Sequence, residues 1–474
     1  MSTRREQFGS RLGFILATAG SAVGIGNIVG FPVNATKNGG AAFLLFYVLF
    51  MVLLCLPVMI AEMSVGRHTQ RNPIGAYRCL APKSKLWQIG GWLAVITPFM
   101  ISVFYMVITI WVMGYLVGCI TGNLDQLAQD DYFAIFINSK QVFFYLVGVA
   151  ALIAFILHRG VHEGIEKGAK LMMPALFMML LCLVAFVLTL DNAFAGVRFY
   201  LVPDISKITP VVLSGALSQA FFSLSLGMGI LITYGSYIDR SQGIPSAAKF
   251  VAFTDTGVAF CAGLLVIPAI FAFNPHINAD ELSSSSVSLI FSFLPKIFLA
   301  MQTTIGYVGA SIVASTFFLL VFFAALTSQV SILQVPLAAL EDELGFDRDK
   351  SLLSLAVTAG FLTLCCVASF GMINFLTEFA TYAGQTKSFF DLIIDIFYDT
   401  ILPLNGFIIC LLVSYKWKKT RFNEELEQGE PGYQGTLLER YVNFSLGTVI
   451  PLVLLIIFMN TVALKFFAHS LLGF

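Results

Sequence analysis

The sequence predicts an all-α polytopic membrane protein with eleven transmembrane helices, of which the first and the sixth are broken midway. Hydrophobic residues make up 58% of the 474 residues and charged residues only 11%, whereas a soluble domain carries about 25% charged residues. Eleven apolar runs are long enough to cross a hydrocarbon core. Two of these runs, five spans apart, carry glycine and polar residues at their centres.

The polar loops between the apolar runs set the predicted boundaries. Spans are expected near residues 12–35, 41–65, 88–121, 141–158, 166–190, 210–237, 247–273, 307–340, 351–371, 389–415 and 443–470. Twenty of the 27 lysine and arginine residues fall on the side of the N-terminus, which predicts a cytoplasmic N-terminus and a C-terminus outside. The 27 basic and 27 acidic residues balance to zero, which argues against nucleic acid as a partner.

Span 1 contains the stretch Ala17–Pro32, read as ATAGSAVGIGNIVGFP. It holds four glycines and one polar amide: Gly20, Gly24, Gly26, Gly30 and Asn27. Each glycine costs a helix interior about 1 kcal/mol relative to alanine. We therefore expect the helix to unwind here, and bare backbone at membrane depth is tolerated only where it is buried in protein or lines a cavity.

Span 6 has the same kind of interruption in the stretch Gln219–Gly229, read as QAFFSLSLGMG. Paired interrupted spans in corresponding positions of two halves indicate a transporter made of inverted repeats. The expected units are a first five-helix repeat at 1–190, a second, inverted five-helix repeat at 191–416, a cytoplasmic linker at 417–440 and an extra C-terminal helix at 441–474. The freed carbonyls suit a hard cation, and the half-helix N-termini suit an anionic group.

Three other spans carry polar residues near their centres. Asp255 lies deep in span 7, where a carboxylate is expensive and functional by default. Thr327 and Ser328 in span 8 are candidates for an ion or substrate site, although hydroxyls on a helix usually bond back to their own backbone. Tyr105 in span 3 is either a binding residue or an interface anchor.

Enzyme chemistry finds no support in the sequence. The five histidines form no cluster and no nucleophile motif is present. The eight cysteines show no metal-ligand spacing, so small apolar packing is the simplest interpretation of them. The sequence therefore predicts that the protein is not an enzyme.

Several long motifs, in order along the chain, resemble one known family. The N-terminal stretch RREQFGSRLGFILATAGSAVGIGNIVGFP resembles the first span of the bacterial neurotransmitter:sodium symporters, QAFFSLSLGMG their sixth span, and FFAALTS with LEDEL their eighth span and the following loop. The resemblance implies sodium-coupled symport of a neutral hydrophobic L-amino acid by alternating access in a bacterial inner (plasma) membrane. It also implies two Na⁺ sites and one central amino-acid site.

Carried over by position, the resemblance assigns the sodium ligands. The first Na⁺ would be held by the carbonyl of Ala22, the side chains of Asn27, Ser223 and Asp255, and the substrate carboxylate. The second would be held by the carbonyls of Gly20, Val23 and Ala324 and the hydroxyls of Thr327 and Ser328. Ligand sets made only of oxygen suit a hard cation.

The resemblance assigns the substrate contacts in the same way. The carboxylate would meet the amides near Gly24 and Gly26 and the hydroxyl of Tyr105, and the ammonium would meet the carbonyls of Ala22, Phe222 and Ser225. The side-chain pocket would be formed by Ile101, Phe222, Met228 and Ile332. That pocket has no counter-charge, so we expect a bulky aliphatic or aromatic amino acid.

Gates also follow from the resemblance. Arg5 with Asp342 would close the cytoplasmic side, next to Phe8 where relatives carry tryptophan. The outer arginine position is Gly30, and the outer aspartate position falls on Ile394 or on Asp395, which the sequence leaves open. Tyr105 over Phe222 would form an aromatic lid. Independently of the resemblance, Gly164 and Pro174 form a weak point in span 5, which indicates a hinge or a simple kink.

Chloride dependence in this family is associated with a serine in span 7, near Tyr47, Gln219 and Ser223. Residues 252–259 contain no serine, and Asp255 supplies a fixed negative charge, so we expect no chloride requirement. A non-transporting amino-acid sensor or a channel on the same scaffold is the alternative function. The sequence does not decide which amino acid is carried, the sodium stoichiometry, proton antiport or the oligomeric state.

Overall fold

The computed structural model describes residues 6–273 and 289–471, and almost all of these residues are helical. Span 1 consists of the helices Arg11–Ala22 and Gly26–Lys37, bent by 51° at the break. Spans 2 to 5 are Ala41–Thr69, Lys85–Ile120, Gln141–His158 and Val161–Val187. Span 6 consists of Pro210–Ser223 and Ile230–Gly235. Spans 7 to 11 are Ile244–Phe273, Gln302–Leu344, Arg348–Ala368, Phe389–Gly429 and Leu437–Phe467.

Short elements connect the spans. The helices outside the membrane-spanning set are Pro73–Leu80, Leu124–Leu127, Tyr132–Ile137, Ala193–Leu201, Ile205–Lys207, Leu289–Phe293, Leu294–Ala300 and Asn374–Thr377. One antiparallel hairpin between spans 9 and 10 pairs Ala380–Tyr382 with Gln385–Lys387, with Tyr382 opposite Gln385.

The structure confirms the predicted fold class. Within the described residues, nine helices are long and apolar enough to cross a membrane, and the bent pair of span 1 makes ten. The two halves of span 6 are individually too short to cross, and together they supply the eleventh. Both breaks lie where glycines and polar residues interrupt the apolar runs.

Spans 1 and 6 lie at the centre of the bundle. The first half of span 1 packs against spans 5, 7 and 8, and the two halves of span 6 pack against the two halves of span 2. Spans 3 and 8 pack along each other over a long interface. Irregular backbone in the two breaks is therefore surrounded by protein, as a bilayer requires.

Residues 417–440, expected to form a linker, contain helical structure. Lys418 has a φ of 74° and separates the membrane-spanning part of span 10 from the helix Lys419–Gly429. The buried guanidinium of Arg67, at the end of span 2, donates a 2.7 Å hydrogen bond to Oε1 of Glu425 on that helix. The linker is thus held against the end of span 2.

Candidate functional site

The break in span 1 follows Ala22, the last residue of its first helix. Val23 has extended backbone angles (φ −71°, ψ 100°), so the next amides cannot bond within that helix. The amide of Gly24 donates to Oδ1 of Asn27 at 3.1 Å, and the amide of Ile25 donates to the hydroxyl of Tyr105 at 3.2 Å. Side chains therefore satisfy the unwound backbone, as a buried helix end requires.

Glycine is required at position 24 because two side chains approach it closely. A Cβ atom on Gly24 would lie 2.8 Å from Oγ of Ser328 and 2.9 Å from the hydroxyl of Tyr105. The structure thus brings spans 1, 3 and 8 together at the break, as the predicted sites require.

The break in span 6 covers residues 224–229. Ser225, Gly227 and Gly229 have positive φ values of 54°, 75° and 65°, a region that glycine occupies readily and serine rarely. The amide of Gly227 donates to Oε1 of Glu62 at 2.7 Å, and its carbonyl accepts from Nδ2 of Asn405 at 2.9 Å. Both side chains are buried. Span 2 therefore binds the amide of Gly227, and span 10 binds its carbonyl.

The residues expected at the second sodium site lie together. The hydroxyl of Ser328 lies 3.4 Å from the carbonyl oxygen of Gly20, 3.2 Å from that of Ser21 and 3.3 Å from that of Val23. The hydroxyl of Thr327 lies 3.1 Å from the carbonyl oxygen of Ala324. The group of oxygens joins span 8 to the break in span 1, and its composition suits Na⁺.

Three of the residues expected at the first sodium site form one buried cluster. Nδ2 of Asn27 donates to Oδ1 of Asp255 at 2.7 Å and to Oγ of Ser223 at 2.8 Å. Oγ of Ser223 donates to Oδ2 of Asp255 at 2.6 Å, and the hydroxyl of Tyr47 donates to the same oxygen at 3.2 Å. Asp255 is fully buried and these hydrogen-bond partners are neutral, so its carboxylate is available to compensate a cation.

The residues expected at the substrate pocket come from the same spans. Ile101 lies one turn before Tyr105 on span 3, and Ile332 lies one turn after Ser328 on span 8. Met228 lies within the break of span 6. Ile101, Met228 and Ile332 are all buried.

An aromatic contact at Phe222 was missed by the sequence analysis. The ring of Phe222 stacks on Tyr398 of span 10, with centroids 3.8 Å apart and planes within 9°. The predicted lid of Tyr105 over Phe222 stays a prediction, and the hydroxyl of Tyr105 accepts a hydrogen bond from the amide of Ile25. The backbone partners Glu62, Asn405 and Ser21 were also not singled out. Their contacts join distant spans. Of the three, only Glu62 could have been found from the sequence, because it is a carboxylate within an apolar span.

Two of the residues assigned to the gates, Asp342 and Asp395, lie in the described part of the chain. Arg5 is outside the described residues, so its pairing with Asp342 stays a prediction. Asp342 accepts hydrogen bonds from Asn72. At the other end, Asp395 is 3% exposed and accepts from Lys465. A Cβ atom on Gly30 would lie 3.9 Å from Oε1 of Gln219.

The predicted hinge begins in a wide helical turn, Val161–Glu166, and Pro174 lies inside the helix that follows. A Cβ atom on Gly164 would lie 1.9 Å from the carbonyl oxygen of Ile156, so only glycine lets spans 4 and 5 approach here. The carboxylate of Glu166 lies between the two hinge residues and accepts from the amide of Gly9 at 2.6 Å and the hydroxyl of Ser10 at 2.8 Å. The start of span 1 is therefore attached to the hinge.

The eleven spans, two of them broken around a buried group of oxygens, have the architecture of a polytopic membrane transporter. The chain belongs to the sodium:neurotransmitter symporter family, whose family model matches residues 5–133 and 136–470. It is therefore a sodium-dependent, multi-pass membrane transporter, and its relatives are transporters rather than enzymes.

Relatives match along most of the chain. An uncharacterised sodium-dependent transporter of Bacillus subtilis, YhdH, is 34% identical over 97% of this chain and 98% of its own length. The sodium- and chloride-dependent GABA transporter 2 of Bos taurus is 23% identical over 87% of this chain and 77% of its own. The crystal structure of MhsT in complex with L-phenylalanine matches with a TM-score of 0.84 and 37% identity, over 96% of this chain and 99% of that one.

Proposed function

We propose that the protein carries a neutral hydrophobic L-amino acid, bulky aliphatic or aromatic, together with Na⁺ across a bacterial inner membrane by alternating access. It does so without a requirement for chloride. The observation that carries the proposal is the contact between the hydroxyl of Tyr105 and the Ile25 amide, 3.2 Å apart at the break in span 1. A hydroxyl and unwound amides at a half-helix N-terminus are the donors that a free carboxylate needs.

The character of the pocket supports a hydrophobic side chain. Ile101, Met228 and Ile332 are apolar and buried, and the ring of Phe222 is covered by Tyr398. A charged or strongly polar side chain would lose its hydration there without a partner. The L-phenylalanine bound by MhsT, which shares 37% of its sequence with this chain, has the same character.

Coupling follows from a shared ligand. In the proposed first site, Na⁺ binds the oxygens of Asn27, Ser223 and Asp255 and the carbonyl of Ala22, and the substrate carboxylate completes its coordination. Each ligand then improves the site of the other, and this coupling is reciprocal. The second Na⁺ binds at Gly20, Val23, Ala324, Thr327 and Ser328. One positive charge moving through 100 mV supplies about 2.3 kcal/mol.

The position of Asp255 supports chloride independence. Its Oδ2 atom accepts hydrogen bonds from Ser223 and Tyr47, two of the groups that the family resemblance places around chloride. The third, Gln219, donates to the carbonyl of Gly26 at 3.0 Å and accepts from Asn34 at 2.8 Å. A fixed carboxylate at this point supplies the negative charge and repels a second anion.

We also propose how the chain is oriented in the membrane and which segment opens. Residues 1–190 and 191–416 form the two inverted repeats, with the N-terminus in the cytoplasm and the C-terminus outside. Inward opening unwinds the segment from Gly164 to Pro174, so that water reaches the second Na⁺ from the cytoplasm. The pair Arg5–Asp342 closes that side in the outward-facing state.

Radiolabelled uptake into proteoliposomes under an inward sodium gradient tests the function, with the twenty unlabelled amino acids as competitors. Competition by tryptophan, tyrosine, phenylalanine or leucine, lost when potassium replaces sodium, is expected. Replacement of chloride by gluconate should leave uptake unchanged, and a collapse in gluconate would contradict chloride independence. Sodium-dependent binding without uptake would indicate a sensor instead.

A further inference from the structure

A partly buried group of charges lies near the Phe222–Tyr398 stack, at the opposite end of span 10 from the Arg67–Glu425 contact. Nζ of Lys465, near the end of span 11, lies 2.6 Å from Oδ1 of Asp395 and 2.7 Å from Oδ2 of Asp399. The Asp395 side chain is 5% exposed and that of Asp399 is 23% exposed. One lysine from the helix outside the ten-span core thus binds two carboxylates on one face of span 10.

The hairpin between spans 9 and 10 joins the same group. The hydroxyl of Tyr382 donates to Oδ2 of Asp395 at 2.8 Å, and its ring lies 5.2 Å from that of Phe466, the neighbour of Lys465. Nζ of Lys387 lies 3.7 Å from the same Asp395 oxygen. The two lysines balance the two aspartates, so the group is neutral as a whole.

The segment that carries the two aspartates also carries Tyr398. Asp395, Tyr398 and Asp399 all belong to the wide helical turns of residues 394–401. Asp399 faces Lys465, while the preceding Tyr398 stacks on Phe222. Phe222 in turn precedes Ser223, whose hydroxyl belongs to the Asp255 cluster. A continuous path of contacts therefore runs from span 11 to the substrate and sodium site.

We propose that Lys465 is a positioning residue that holds residues 394–401 in the place where Tyr398 closes over Phe222, so that span 11 stabilises the outer closure of the substrate site. The proposal rests on the proposed alternating-access function. Span 1 carries no side chain at Gly30, the position to which the family resemblance assigns an outer arginine. Lys465 brings the positive charge from span 11 instead.

Electrostatics stabilises the contact of Lys465 with Asp395 and Asp399, which we call the latch. Two carboxylates four residues apart on one face repel each other, and their partial burial reduces the screening by water. Removing Lys465 takes the nearest positive charge from the buried carboxylate of Asp395, which costs more than an exposed ion pair contributes. Loss of Lys465 should therefore displace residues 394–401, and the Tyr398 ring with them.

Hydrogen–deuterium exchange of the protein in nanodiscs tests the latch without any ligand. Lys465→Met removes the charge and keeps the length of the side chain, whereas Lys465→Arg keeps the charge. We expect exchange about tenfold faster at residues 394–401 and around Phe222 in Lys465→Met, and restoration by Lys465→Arg. Lys296→Met is the matched control, because Lys296 pairs with Asp130 outside this group.

Dissociation of radiolabelled amino acid from the sodium-loaded protein supplies the functional readout. Lys465→Met should speed dissociation about tenfold and raise KM more than it lowers kcat, because closure and not translocation is weakened. If Lys465→Met does not fold, Asp399→Asn should also speed exchange and dissociation, but by a smaller factor. Normal exchange and normal dissociation in both variants would overturn the proposal. If Lys465→Met speeds exchange but the unmodified protein binds no amino acid, the role of Lys465 is supported and the proposed substrate is refuted.

Discussion

Oγ of Ser223 donates a 2.6 Å hydrogen bond to Oδ2 of Asp255, and both side chains are buried where span 6 breaks. Oδ1 of the same carboxylate accepts a 2.7 Å hydrogen bond from Nδ2 of Asn27. One acidic side chain thus joins the breaks of both central spans. Any cation bound between Asn27 and Ser223 would lie beside a full negative charge in a site that excludes water.

Asp255→Asn should weaken sodium binding at least tenfold while the fold is kept. The amide retains the shape and some of the hydrogen bonds, but the fixed charge is lost. A tenfold loss corresponds to about 1.4 kcal/mol, well below the roughly 4 kcal/mol of two charges 4 Å apart at an effective dielectric of 20. The sodium dependence of amino-acid binding measures this loss, and Asp125→Asn, on the short helix Leu124–Leu127 between spans 3 and 4, is the control. Unchanged sodium affinity would remove Asp255 from the first site.

Chloride should partly restore transport in Asp255→Asn. With the carboxylate neutralised, the hydroxyls of Tyr47 and Ser223 are free to donate to an anion in its place. Uptake by the variant, compared in chloride and in gluconate, should be higher in chloride, while the unmodified protein shows no difference. Equal uptake in both salts would show that the carboxylate does not occupy an anion position.

Ser328→Ala should reduce the apparent sodium affinity of uptake by about tenfold, because a charge-assisted oxygen contact is worth about 1.5–3 kcal/mol and solvent replaces part of it. The hydroxyl lies within 3.4 Å of the carbonyl oxygens of Gly20 and Val23. Thr316→Ala on the same helix is the control, because its exposed hydroxyl bonds only back to Ile312. An equal effect of both substitutions would indicate general loss of helix stability.

The breaks of spans 1 and 6 were predictable because they rest on local composition. Glycines in an apolar run weaken the helix wherever the helix lies, and a carboxylate such as Asp255 is costly in any membrane span. Both signals can be read from the local sequence. These signals led to both helix breaks and to the Asn27–Ser223–Asp255 cluster.

Contacts between distant spans were not predictable in this way. The stack of Phe222 on Tyr398 depends on which faces of spans 6 and 10 meet, and aromatic residues are too frequent in this chain to mark one pair. Asn405 and Lys465 lie among apolar residues with no motif around them. Their partners are fixed by the packing of complete helices, which neither composition nor spacing specifies.

Pro174→Ala should slow transport while sodium-dependent substrate binding is kept. The proline weakens the helix that follows Gly164, and alanine restores the missing hydrogen bond and straightens it. Uptake rate and equilibrium binding, measured on the same preparation, separate the two effects. Pro210→Ala is the control, because Pro210 lies in the first turn of the helix Pro210–Ser223, where proline is tolerated. An unchanged turnover would count against hinge movement here.

Glu166→Gln should loosen the start of span 1. The buried carboxylate accepts from Gly9, Ser10 and Lys170, and a glutamine cannot accept with both terminal atoms, so buried donors are left unpaired. Faster hydrogen–deuterium exchange at residues 6–16 is the expected result. Glu163→Gln is the matched control, since Glu163 is exposed and pairs with Lys167. Equal exchange in both variants would refute the attachment.

Tyr398→Ala should speed dissociation of the bound amino acid, whereas Tyr398→Phe should behave almost as the unmodified protein does. A stacked aromatic pair is worth about 0.5–1.5 kcal/mol beyond its buried area, which corresponds to roughly two- to tenfold in the dissociation rate. The phenylalanine keeps the ring and loses only the hydroxyl, so it separates stacking from hydrogen bonding. Combination with Phe222→Ala completes a double-mutant cycle. If Tyr398 acts through the ring of Phe222, the double variant should be little worse than Phe222→Ala alone. Additive effects would mean that the two rings contribute to retention independently, and that the stack is not the outer closure.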